Sequence, residues 1–223
     1  MTRDILLRLL DVEEDVWDEY LFQDDRTYRA LSSERRRDLA ARTRTAAASA
    51  AAQYSDLTSA RVLEDYLLQN GICITEEHGT GDSLSGGVLA LFTQPDQITL
   101  FPDKYARARD TAIQQGLTDL SGMWDYRAAA LAHELYHLHE SRHPEIFTLQ
   151  KHVCLWRLGP LQNWSTVPAL REIAARHFTR ILLKLPFHPC IMELCLLDAL
   201  QPTAGQALYT SILAHAKKQE ECT

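Results

Sequence analysis

His133 and His137 stand four residues apart, with Glu134 beside the first, in the run His-Glu-Leu-Tyr-His. On a helix, positions i and i+4 lie one above the other on the same face. Two imidazoles so placed can hold one Zn²⁺. The carboxylate next to the first can then reach a water at the metal and take its proton. The chemistry needs two neutral nitrogen ligands, an open coordination position and a base.

The flanks of this run bear on whether such a site is meant. At 100° per residue, His133, His137 and Glu140 fall on one stripe, and Leu131, Leu135 and Leu138 on another, roughly opposite. The preceding Ala128-Ala129-Ala130-Leu131-Ala132 predicts a buried helix, where an unpaired polar stripe is costly. A metal accounts for that stripe; the plainer alternative is a surface helix that happens to carry His and Glu.

A catalytic zinc site needs a third protein ligand. Glu172 lies near the start of the next strong helical pattern. His143 stands ten residues after His133, where a third His falls in the HExxHxxGxxH pattern, but Glu140 occupies the position that pattern gives to a chain-turning Gly. Glu140 lies further along the histidine stripe, in the place of a residue that supports a ligand. Spacing alone leaves the choice open, since a solvated acid near a helix start also describes Glu172.

These side chains must be carried by a folded domain, and the composition allows one. The chain has 223 residues, 46% apolar and 24% charged, enough to bury a core. The net charge of -7 argues against direct nucleic-acid binding. The basic run Arg35-Arg36-Arg37, with Arg42 and Arg44, reads as the solvated face of a helix. Five cysteines without a CxxC pair fit free thiols in a reducing compartment. The first residues lack the features of a signal peptide, and no run of about 18 apolar residues predicts a membrane span. A cytoplasmic protein without a membrane partner is expected.

Helices are predicted over residues 1–23, 32–54, from Ser55 to Asn70, 124–141, from Thr166 to Leu185, 189–200 and 204–218. Asn70-Gly71 is a stop signal. Three short strands are predicted near Ile72–Thr75, Val88–Phe92 and Gln97–Phe101, with a loop from Gly79 to Gly87 and a turn at Gln94-Pro95-Asp96. Phe147 to Leu155 reads as strand or extended loop. The expected class is α+β, mostly helical, with a small antiparallel three-stranded sheet and a central HExxH helix. The expected division is an N-terminal helical segment, 1–55, and a metallopeptidase-like domain, 56–223.

Over about residues 56 to 200 the chain resembles the ImmA/IrrE-like metallo-endopeptidases. The resemblance rests on Asp65-Tyr66-Leu67-Leu68 before Gly71-Ile72, on LAHELYHLHE, and on REIAARHFTRILLKLPFHP, where Glu172, Ala175, Phe178, Leu182 and Leu183 fall in register. It implies that His133, His137 and Glu172 bind zinc, that Glu134 is the general base, and that the substrate is a protein or peptide such as a transcriptional repressor. Tyr136 departs from many members of the family, and residues 1–55 lie outside the match. His177, His143 and Tyr136 are candidates to stabilise a developing oxyanion; His139 and Cys154 read as packing or surface residues. The rival to a peptidase is a zinc-containing module that binds a partner protein and hydrolyses nothing.

Overall fold

The computed structural model describes residues 1–79, 87–121 and 124–220. The loop expected between Gly79 and Gly87 falls outside these residues except at its ends, and Cys222 falls outside them too. The chain is α+β and mostly helical. Among the described residues, no helix is long and apolar enough to cross a membrane.

The single helix expected over residues 1–23 is two, α1 (Arg3–Leu10) and α2 (Glu14–Gln23). Glu13 is extended between them (φ -64°, ψ 151°), and this redirects the chain so that Leu6 and Leu9 of one helix and Val16, Trp17 and Phe22 of the other are all buried. A short 3₁₀ turn (Tyr28–Ala30) leads to α3 (Ser33–Ala52), capped by Ser32, whose Oγ accepts from the Arg35 amide at 3.2 Å. Arg36 departs from the solvated face expected for this helix. It turns inward and forks onto Glu19, Nη2 to Oε1 at 2.6 Å and Nε to Oε2 at 2.8 Å.

α4 (Ala60–Gln69) ends at Gly71, whose φ of 79° closes a Schellman motif. The Ile72 amide bonds the Leu67 carbonyl at 3.0 Å and the Gly71 amide bonds Leu68 at 3.1 Å. The chain then enters β1 (Cys73–Glu76), β2 (Ala90–Thr93) and β3 (Gln97–Leu100), in the spatial order β1-β3-β2. This sheet is mixed, not antiparallel throughout as expected. The short link through Gln94-Pro95-Asp96 sets β2 antiparallel to β3, whereas the longer connection from β1 lets that strand reach the far side of β3 and pair parallel, Cys73 opposite Gln97.

The rest is mainly helical: α5 (Pro102–Gln114), α6 (Thr118–Ser121), α7 (Tyr126–Arg142) and the single turn α8 (Phe147–Gln150). The ambiguous stretch before Leu155 thus splits, and its second half enters a hairpin of β4 (His152–Leu158) and β5 (Leu161–Thr166) around Gly159, at φ 56°. α9 (Pro168–Leu182), α10 (Cys190–Leu200) and α11 (Pro202–Glu220) follow.

α7 runs through the middle of the core. Leu131, Leu135 and Leu138 are buried, as their spacing predicts, in one apolar cluster with residues of α1, α2, α3, α4 and α10. Residues 1–55 therefore share a core with the HExxH helix. α9 packs against both α3 and α7.

Candidate metal centre

Asp125 starts α7 by accepting from the Ala128 amide at 2.9 Å, and the alanines that follow let neighbouring helices approach closely. Two turns on, His133 and His137 turn their Nε2 atoms towards each other at 3.1 Å. α9 brings Glu172 to the same point: its Oε2 is 3.6 Å from His133 Nε2 and its Oε1 is 3.6 Å from His137 Nε2. One ligand atom from each of the three lies within 4.8 Å of the others. Nothing but tertiary packing makes this meeting, because 35 residues (172 − 137) separate Glu172 from the second histidine.

Two imidazole nitrogens and a carboxylate oxygen facing one point are a donor set suited to zinc. The electrostatics differ between the two rings: at His137 burial is outweighed by the carboxylates of Glu140, Glu172 and Glu134, which raise its pKa, whereas at His133 burial prevails. Burial, with His137 adding repulsion, lowers the His133 pKa to about 3, so this ring stays neutral and free to ligate. Burial opposes ionisation of Glu172, but Arg176 and the two histidines outweigh it and lower its pKa to about 2.

Glu134 lies beside this group and is 5% exposed. Burial raises its pKa to about 7, partly offset by His137, in the range suited to passing a proton back and forth. The backbone of Phe92 in β2 lies close enough to oppose part of that rise.

Glu140 does not join the three. It is fully buried behind His137, with Oε2 3.6 Å from Nδ1. There it accepts from Arg171 Nε at 2.5 Å and from the Thr148 hydroxyl. His143 caps the end of α7 and contacts the His139 carbonyl through Nδ1 at 2.8 Å, outside the three-ligand group. His139 is a packing residue, bonded to the Tyr54 hydroxyl at 2.9 Å. Of the other oxyanion candidates, Tyr136 is fully buried and His177 bonds Glu14 through Nδ1 at 2.7 Å, away from the centre.

A cavity of about 730 Å³ opens over the group. His133, Glu134, His137 and Glu172 line it, as do residues 87–92, which lead into and form most of the edge strand β2. Sequence reasoning missed Arg171, Arg176 and Glu193, which also line it. Arg176 had a visible signal, since it stands four residues after Glu172 on one helix. Glu193 had none, because its tie to Arg176 crosses between helices. Comparison with protein-family models, curated proteins and solved structures finds no match to this chain.

Proposed function

We propose that this protein is a zinc-dependent endopeptidase, with His133, His137 and Glu172 as metal ligands and Glu134 as general base. One observation carries the reading: three potential ligands from two helices meet in an open cavity beside the buried Glu134 carboxyl. A zinc ion held by these three would acidify a water and polarise the scissile carbonyl. Glu134 accepts the proton of the attacking water and passes it to the leaving amine. Glu140 places a buried carboxylate 3.6 Å behind the outer nitrogen of His137, where its charge supports the ring as a ligand. β2, at the sheet edge along the cavity, offers unpaired backbone groups to an extended peptide. The ImmA/IrrE-like resemblance extends the proposal to a transcriptional repressor as the protein cut.

Metal analysis after dialysis, followed by assay on an internally quenched peptide library, tests this. Wild type is expected to keep about one zinc per chain and Glu172→Ala to lose it while staying folded. Glu134→Gln is expected to keep zinc and lose about 10²- to 10⁴-fold in rate. Zinc without hydrolysis in wild type would point instead to a zinc-containing binding module, and no zinc at all would end the peptidase reading.

A further inference from the structure

The cavity over the three ligands has a second kind of lining. α2 contributes Trp17 and Tyr20, α10 contributes Leu194 and Leu197, and α11 contributes Leu208 and Ile212. All three helices lie outside the segments that carry the histidines and Glu172. We propose that this apolar lining is a side-chain subsite that selects a bulky aliphatic or aromatic residue next to the scissile bond; the proposal rests on the hydrolytic reading above.

The wall is preformed. Trp17, Leu194 and Ile212 are 0%, 2% and 2% exposed, so the core holds them from behind. The Trp17 ring stacks on His188 with centroids 5.3 Å apart and planes 3° from parallel. α11 is set tightly on α10 at Gly205, where a Cβ would come within 2.6 Å of the Asp198 Cα. Tyr20, Leu197 and Leu208 are only half-buried and keep apolar surface that an entering side chain would cover.

The charged groups of the cavity argue in the same direction. Arg176 is committed to Glu172 at 2.6 Å and to Glu193 at 2.8 Å, and Arg171 to Glu140 at 2.5 Å. A charged side chain seated against the apolar wall would lose water and gain no charged partner from it. An apolar one needs none.

Two measurements on the full chain test this. The first is fluorescence anisotropy with labelled Ala-Ala-Leu-Ala-Ala and Ala-Ala-Asp-Ala-Ala peptides, in a Glu134→Gln background so that neither is cut. The leucine peptide is expected to bind about 10-fold tighter or more, and Leu208→Glu to abolish the difference while the melting temperature shows a folded chain. The second is the cleavage preference of Leu208→Trp, which narrows the subsite and is expected to shift the favoured residue from Leu or Phe to Ala. Equal binding of both peptides, or a preference untouched by either Leu208 variant, overturns the subsite. Selective binding without any hydrolysis by wild type overturns the peptidase reading and leaves the subsite standing.

Discussion

Arg176 Nη1 lies 2.6 Å from Glu172 Oε2, one turn further along the same helix, while its Nη2 holds Glu193 of α10 at 2.8 Å. The proposed carboxylate ligand is thus anchored by a buried cation whose charge is shared with a second acid. Removing that acid leaves the whole positive charge beside the ligand, where it competes with a metal. Glu193→Gln is expected to weaken zinc binding about 10- to 100-fold, and Glu193→Asp less. Competition against a chromophoric chelator measures the affinity, and the visible spectrum of the Co²⁺-loaded chain reports the ligand geometry. Equal affinities in wild type and Glu193→Gln would remove Glu193 from the site.

Glu140 stands to His137 as Arg176 stands to Glu172. Three contacts hold it: Arg171, the Thr148 hydroxyl and the nearby His137 ring. Burial opposes its ionisation, but these contacts win and keep its pKa below the usual carboxylate value. Glu140→Gln is expected to cost about 10- to 100-fold in zinc affinity, because the outer nitrogen of His137 loses its anionic partner. Thr148→Val removes one donor to Glu140 and should cost less. Both are read by the same chelator competition.

Glu14 ties α2 to α9. His177 Nδ1 is 2.7 Å from its Oε1, and Arg180 Nη1 is 3.4 Å from its Oε2. The hydrogen bond from His177 is the main cause lowering the Glu14 pKa from 4.5 to about 2. A carboxyl depressed on folding stabilises the protein above its unfolded pKa, and this contribution fades as pH falls from about 4.5 towards 2. A neutral imidazole still donates through Nδ1, so the effect does not require a charged His177. Glu14→Gln is expected to lose about 1–2 kcal/mol at pH 7 after allowance for partial exposure. Urea unfolding at pH 7 and pH 3 checks this: the gap between variant and wild type should shrink at pH 3.

At Gly205, α11 crosses close to α10. A Cβ there would sit 2.6 Å from the Asp198 Cα and 2.9 Å from its backbone nitrogen, and backbone cannot yield as a flexible side chain does. Gly205→Ala is expected to destabilise the fold by about 1–3 kcal/mol. At roughly 2–4 °C per kcal/mol for a chain of this size, calorimetry should show a melting temperature lower by several degrees. An unchanged melting temperature would mean the helices separate without cost.

Much of the fold was legible because its signals are local. The Ala-rich run of α3, the Asn70-Gly71 stop and the leucine stripe of α7 each depend on residues within one or two turns. The misreadings concern direction. No local signal says that Glu13 is extended, that β1 runs parallel to β3, or that Arg36 turns inward to Glu19. Each is decided by what lies across the core.

The same division holds at the site. The sequence alone placed His133 and His137 on one face of a helix, with Glu134 beside them, because a 3.6-residue period leaves no other arrangement once the helix forms. It could not choose among Glu172, His143 and Glu140, since nothing in spacing reports a distance between helices. Packing of α9 on α7 decided that: it carries Glu172 to the paired imidazoles, puts Glu140 behind His137, and leaves His143 at the helix end. Packing also brought Trp17, Leu208 and Glu193, from distant parts of the chain, to one cavity. The physical reason is range: helix periodicity acts over a few residues, whereas burial of apolar faces joins residues without regard to their separation in the chain.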